Sequence, residues 1–130
     1  MNDLSALQQT LVQTLEIEVI EATKDRVVAK MPVQAKVHQP FGFLHGGASV
    51  ALAETVASIG AYLNVQENGE LAFGLEINAN HVRPKRDGVV TATATPLHRG
   101  KTTHIWDIQI TDEAGKLVCV SRCTVAITKP

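Results

Sequence analysis

Between Val37 and Gln66 the chain carries one charged side chain, Glu54, and from Gly46 to Leu63 it is dominated by alanine, leucine, valine and glycine. Alanine and leucine are strong helix formers, and the stretch opens on Gly46-Gly47 and closes near Asn64, so a long helix is predicted here. Because apolar or small residues surround it on every side, the helix is expected to be buried all round, as a central helix wrapped by a sheet would be.

The rest of the chain can supply that sheet. Four runs read as strands, 71–82, 89–96, 102–111 and 116–128. In the first, Leu75, Ile77 and Ala79 are expected to face one way against Glu76, Asn78 and Asn80; in the second, Ala92 and Ala94 alternate with Thr91, Thr93 and Thr95. Asp112-Glu113-Ala114-Gly115 reads as a turn that makes the last two runs a hairpin. Upstream, 15–22 and 26–33 read as two half-buried strands. Leu4, Leu7, Leu11 and Leu15 predict a short amphipathic N-terminal helix capped by Asp3 or Ser5, placed there for packing rather than chemistry. The expected architecture is α+β, a mostly antiparallel sheet curled around one long helix. At 130 residues the whole chain, 1–130, fits one domain. Sheet edges in so small a domain need covering, which makes a dimer plausible.

Net charge and segment character exclude several classes. A formal charge of −1 gives no global attraction to nucleic acid or anionic membranes, and no aromatics interleave with the basic residues, so neither partner is expected. The N-terminus lacks the basic start and continuous apolar run of a secretory signal, which points to a cytoplasmic protein. His38, Gln39, Pro40, His45 and three glycines interrupt the segment 37–53, so no membrane span is expected either. Cys119 and Cys123 lie four apart on one strand, too far for an easy disulfide, and read as buried small apolar residues.

Chemistry is expected around Glu54. A carboxylate among Ala51, Leu52, Ala53, Val56 and Ala57 needs a reason to be there, because desolvating it is costly. Burial would favour the neutral acid, and nearby donors would hold the anion ready as base or nucleophile; the bland alternative is a solvated helix face. Ser58 follows one turn later and can bond the carboxylate or a water beside it, or bond back to the Glu54 carbonyl. The run from His38 through Phe41, Phe43 and His45 to Gly47 leads directly into the helix, whose first N–H groups lack intrahelical partners and can bind a substrate oxygen. The histidines form no His-x-x-x-His pair and Ser49 sits in no Gly-x-Ser-x-Gly elbow, so neither a zinc site nor a serine triad is expected. Two basic clusters, Arg83-Pro84-Lys85-Arg86 and His98-Arg99-Gly100-Lys101, sit at strand ends, where they either bind phosphates or are ordinary solvated charge. Trp106 reads as core.

The combination of 38–47, Glu54, Ser58 and 74–83 resembles the hotdog-fold acyl-CoA thioesterases, and in particular the branch with 1,4-dihydroxy-2-naphthoyl-CoA and 4-hydroxybenzoyl-CoA thioesterases whose catalytic acid is a glutamate on the central helix. The likeness extends over about 15–128. It implies a hotdog fold and hydrolysis of an aromatic or bulky acyl-CoA without any cofactor or metal. It makes Glu54 the nucleophile or general base, the Gly46 N–H the oxyanion donor, His45 and Gln39 orienting groups, and Ser58 the residue that positions water. Coenzyme A contacts fall to Gly74, His81, Val82, Arg83, Pro84, His98, Arg99, Gly100, Lys101, Thr102 and Thr103. The resemblance further implies an active site shared between the chains of a homodimer, usually within a homotetramer. A histidine that relatives can place in the second coenzyme A loop aligns with Thr103, and His104, one position on, is given no role. Phe41, Phe43, Gly60 and Tyr62 are available to shape the acyl pocket. Two other readings remain open at this point: a hotdog-fold enoyl thioester hydratase or dehydratase, and a non-catalytic acyl-CoA-binding module.

Overall fold

The computed structural model describes residues 7–130. One α-helix turn, Leu11–Thr14 (α1), precedes strands Glu18–Ala22 (β1) and Val27–Pro32 (β2); the long helix Gly46–Val65 (α2) follows, then strands Leu71–His81 (β3), Val89–Arg99 (β4), Thr103–Thr111 (β5) and Leu117–Thr128 (β6). The six strands form one sheet in the order β1-β2-β4-β5-β6-β3, with every neighbouring pair antiparallel. α2 carries the chain from β2, next to one edge, to β3, which is the other edge.

The sheet and α2 share a core. Trp106, Met31, Leu52, Val56, Ile108 and Ile110 have no accessible surface. The helix can lie this close because Gly60 has no side chain: a Cβ there would stand 2.5 Å from Cη2 of Trp106. Cys119 and Cys123 face this core together, as their spacing requires, and are fully buried. Burial and the nearby carboxylates of Glu54 and Glu76 push the Cys123 thiol up to about 12, which keeps it protonated.

Three expectations need correction. α2 is not buried all round. Leu52, Ala53, Val56, Ala57, Gly60 and Ala61 pack on the sheet, while Val50, Ala51, Glu54, Thr55, Ser58 and Ile59 are only half-buried and Tyr62 is exposed. A single sheet covers one face of a helix, and the opposite face here mixes the apolar Val50, Ala51 and Ile59 with Glu54, Thr55 and Ser58. β3 does not alternate regularly either: a β-bulge between Gly74 and Glu76 turns Leu75 outward, 64% exposed, while Ile77 and Ala79 pack against the core. At the N-terminus, Leu4 and the caps Asp3 and Ser5 lie outside the described residues; α1 is one turn capped by Thr10, and left-handed backbone at Gln9 and Glu16 keeps it from extending. By length and composition alone residues 46–68 could cross a membrane, because Glu54 alone interrupts α2, but the helix supplies Leu52, Ala53, Val56, Ala57 and Ala61 to the core of the fold, which accounts for its hydrophobicity.

Candidate active site

The segment 38–45 is a tight loop held by its own backbone and side chains. Gln39 N–H donates to the Phe43 carbonyl at 2.7 Å, and Gly42 N–H donates to the Gln39 carbonyl at 3.0 Å. The Gln39 Oε1 accepts the N–H groups of Phe41 and Phe43, at 2.6 and 3.2 Å. Gln39 therefore spends its carbonyl oxygen on the loop and keeps its NH2 end for other partners.

His45 is the N-cap of α2. Its Nδ1 accepts the Gly47 N–H at 2.8 Å, which leaves Nε2 as the proton-bearing nitrogen of the neutral ring. Ala48 and Ser49 donate to the His45 carbonyl. The Gly46 N–H has no acceptor among the described residues. It is the one amide at this helix start left to bind a ligand oxygen. Space above it is limited by His81, whose Nε2 would be 2.8 Å from a Cβ on Gly46. Gln39, Phe43, Gly46, Ser49 and 81–84 together line a pocket of about 370 Å³.

Glu54 lies elsewhere on the helix. Its carboxylate touches Gly74 of β3, where a Cβ would come within 2.2 Å of Oε2, and together with Ser58 and Thr55 it lines a second, mainly apolar pocket of about 520 Å³. Gly46 and Glu54 are eight residues apart on one straight helix, hence about 12 Å along its axis, farther than a glutamate side chain reaches. Within a single chain the free amide and the carboxylate cannot meet on one carbonyl group.

The basic clusters have divided duties. Arg83 and Pro84 line the pocket beside Gly46, whereas Lys85 is 2.6 Å from Glu113 and Arg86 stacks over the Phe43 ring, 4.4 Å from its centre. His38 Nε2 lies 2.7 Å from the Arg86 carbonyl, and the Leu44 N–H donates to the Lys85 carbonyl. Residues 83–88 thus clamp the loop that precedes α2, and Glu113 holds the clamp by also accepting the Val89 N–H at 2.8 Å. Nothing in the sequence marked Glu113 beyond its place in a turn; its partners are more than twenty residues away.

Arg99, expected at a phosphate, is engaged with Asp25 at 2.9 Å and with Asn64 at 3.1 Å, tying the β1–β2 turn to the end of α2. With Gly100, Lys101, Glu70 and Lys129 it borders a polar pocket of about 610 Å³. His98, Thr102 and Thr103 lie at the same end of the sheet, outside the lining of that pocket. His104 does line it. The Trp106 indole N–H donates to His104 Nδ1 at 3.4 Å, and burial, reinforced by the positive charge of Arg99 and by His98, lowers its pKa and favours the neutral ring.

Comparison with known proteins places the chain in a family. A family model described as thioesterase superfamily matches residues 41–119. A 1,4-dihydroxy-2-naphthoyl-CoA hydrolase of Listeria monocytogenes is 54% identical over 119 residues, 92% of this chain and 96% of the relative. A proofreading thioesterase of Cronobacter turicensis is 45% identical over 118 residues, 91% of this chain and 85% of the relative. The crystal structure of a thioesterase from Haemophilus influenzae superposes with a TM-score of 0.91 at 46% identity, covering 95% of this chain and 86% of that one.

Proposed function

The chain belongs to the thioesterase superfamily and is a thioester hydrolase, and from that premise we propose that it cleaves an aromatic or otherwise bulky acyl-CoA between Glu54 of one protomer and the Gly46 N–H of its partner. One observation carries this reading. On the edge strand β3, Gly74 lies beside Glu54 and His81 lies beside Gly46, so strand and helix run in opposite senses past each other. β3 has a free edge and exposes Phe73 and Leu75. If two β3 strands pair antiparallel about a two-fold axis near Ile77 and Asn78, Gly74 of one faces the His81 end of the other. That pairing carries Glu54 toward the partner's unused amide and extends the sheet across both chains.

In such a site the thioester oxygen accepts the Gly46 N–H, which meets the negative charge that develops as the carbonyl becomes tetrahedral. His45 Nε2–H and the Gln39 NH2 are the further donors on that side. Opposite them Glu54 either takes a proton from water held by Ser58 or attacks the carbonyl itself; the CoA thiolate then leaves. The CoA portion runs past Gly46 and 81–84, with the 98–103 loop and Gly74 as further contacts. The mainly apolar pocket at Glu54 and two relatives named 1,4-dihydroxy-2-naphthoyl-CoA hydrolase support this acyl class. Free, buried thiols suit a reducing, cytoplasmic compartment.

Thiol release from a panel of acyl-CoAs, 1,4-dihydroxy-2-naphthoyl-CoA and benzoyl-CoA included, tests the proposal. Glu54→Gln is expected to lose about 10²- to 10⁴-fold in kcat, the usual worth of a positioned proton-transfer group. Equal rates for the two proteins would sink the assignment. Oxygen-18 from labelled water appears in the Glu54 carboxylate after one turnover only if that carboxylate attacks directly.

A further inference from the structure

We propose that α1 is the acyl-recognition wall of the Glu54 pocket, so that this short N-terminal turn sets which acyl groups the enzyme accepts. The inference rests on Glu54 being the catalytic carboxylate. The acyl α-carbon is bonded directly to the reacting carbonyl carbon. Whatever apolar surface stands nearest Glu54 must therefore meet the first atoms of the acyl group.

That surface comes from two sides. Val50, Ala51 and Ile59 of α2 form one, and Leu7, Leu11 and Val12 form the other. None of the four residues of α1 is buried in the core, and Leu11 is 60% exposed. An amphipathic turn would ordinarily spend such a leucine on the core; here it lines the pocket that also holds Glu54.

A four-residue helix does not hold itself together, so its position must be imposed from outside. Thr10 Oγ1 caps it by accepting the Val12 N–H at 3.3 Å, and the Ile17 N–H donates to the Val12 carbonyl at 2.9 Å. Beyond it Glu16 is pinned by Lys36 and by Gln34, each at 2.7 Å. Gln9 and Glu16, on either side of α1, hold left-handed backbone with φ of 60° and 58°, a conformation side chains other than glycine rarely adopt. Two such joints and an ion pair fix a turn that touches the core only through half-buried Val12. The pocket it closes explains why the chain folds back there.

Leu11→Ala should enlarge the pocket and Leu11→Trp should reduce it, with the core untouched in either. The measurement is the ratio of kcat/KM for naphthoyl-CoA to that for benzoyl-CoA, in which shared CoA contacts cancel. We expect Leu11→Ala to raise this ratio and Leu11→Trp to lower it, each by about tenfold, as a few carbon atoms in an apolar pocket typically do. Movement in opposite directions supports the wall, because unfolding or general damage would shift both variants alike. An unchanged ratio in both, with hydrolysis still abolished by Glu54→Gln, overturns the wall and leaves the carboxylate assignment standing. Full activity in Glu54→Gln overturns that assignment and the wall with it.

Discussion

Gly74 stands directly against the carboxylate of Glu54, so close that a methyl group on it would reach 2.2 Å from Oε2. Gly74 is on the free edge strand and needs no left-handed backbone, so an alanine there disturbs the carboxylate rather than the strand. Gly74→Ala should lower kcat by about a hundred-fold, the effect of misplacing a catalytic group by about an ångström, with a melting temperature near the parent's. A kinetic assay beside a thermal melt separates the two effects. Unchanged kcat would mean that Glu54 tolerates displacement and is not the positioned base.

Complementation checks the two-chain site. If each site takes Glu54 from one chain and Gly46 from the other, a heterodimer of Glu54→Gln and Gly46→Ala contains one intact site and one doubly defective site. Alanine keeps the Gly46 N–H, but its Cβ would stand 2.8 Å from His81 Nε2 and crowd the pocket there. With both single variants verified inactive, random mixing should restore about a quarter of the parent's activity, since half of the dimers are mixed and each has one working site of two. No recovery after verified subunit exchange would argue for sites made within a single chain.

Gly60→Ala tests the packing of α2 on the sheet. Alanine gains up to about 1 kcal/mol of helix propensity over glycine, but its Cβ would sit 2.5 Å from the ring of Trp106, which is fully buried and cannot swing aside. Overpacking of this kind costs about 1–3 kcal/mol, so the steric term wins. Calorimetry should show a melting temperature lower by several degrees.

Acid should loosen the clamp on the active-site loop. Hydrogen bonds from Lys85 and from the Val89 N–H hold the Glu113 carboxyl well below its ordinary 4.5, at about 2. A carboxylate whose pKa is depressed on folding stabilises the fold above the unfolded value and loses that contribution as pH falls through the folded one. The window therefore lies between about pH 4.5 and 2. Parent and Glu113→Gln should differ in melting temperature above that window and converge within it. A difference that persists to its lower end would assign the loss to packing instead.

The succession of strands along the chain was legible in the sequence, and so was the long helix, because alternation and apolar runs are local signals; the order of the strands in the sheet was not, because it depends on contacts distant in sequence. Glu54 was legible as the one charge in that helix. The bulge at Leu75 was not, since two-residue alternation reads the same on both sides of an inserted residue until the partner strand is known. The half-open face of α2 was hidden for a related reason: small apolar side chains suit a buried face and a face awaiting a partner or an acyl group equally well. Arg99 and Lys85 read as phosphate ligands or solvated loop charge because their acidic partners, Asp25 and Glu113, are distant in sequence. The role of Glu113 could be seen only once the chain had folded.

The bulge in β3 amounts to a change of phase. Up to Gly74 the strand keeps time with the Glu54 end of the helix, and beyond Glu76 with the Gly46 end, with the slip of one residue taken up at Leu75. Insertions and deletions along this strand should therefore be intolerable on either side of Leu75 but not equivalent. Deleting Leu75 itself would restore an unbroken beat, since Gly74 and Glu76 already pair with the adjacent residues Val125 and Thr124. Such a chain would keep both ends of the strand on their present partners and lose only the leucine that the slip turns outward at the free edge.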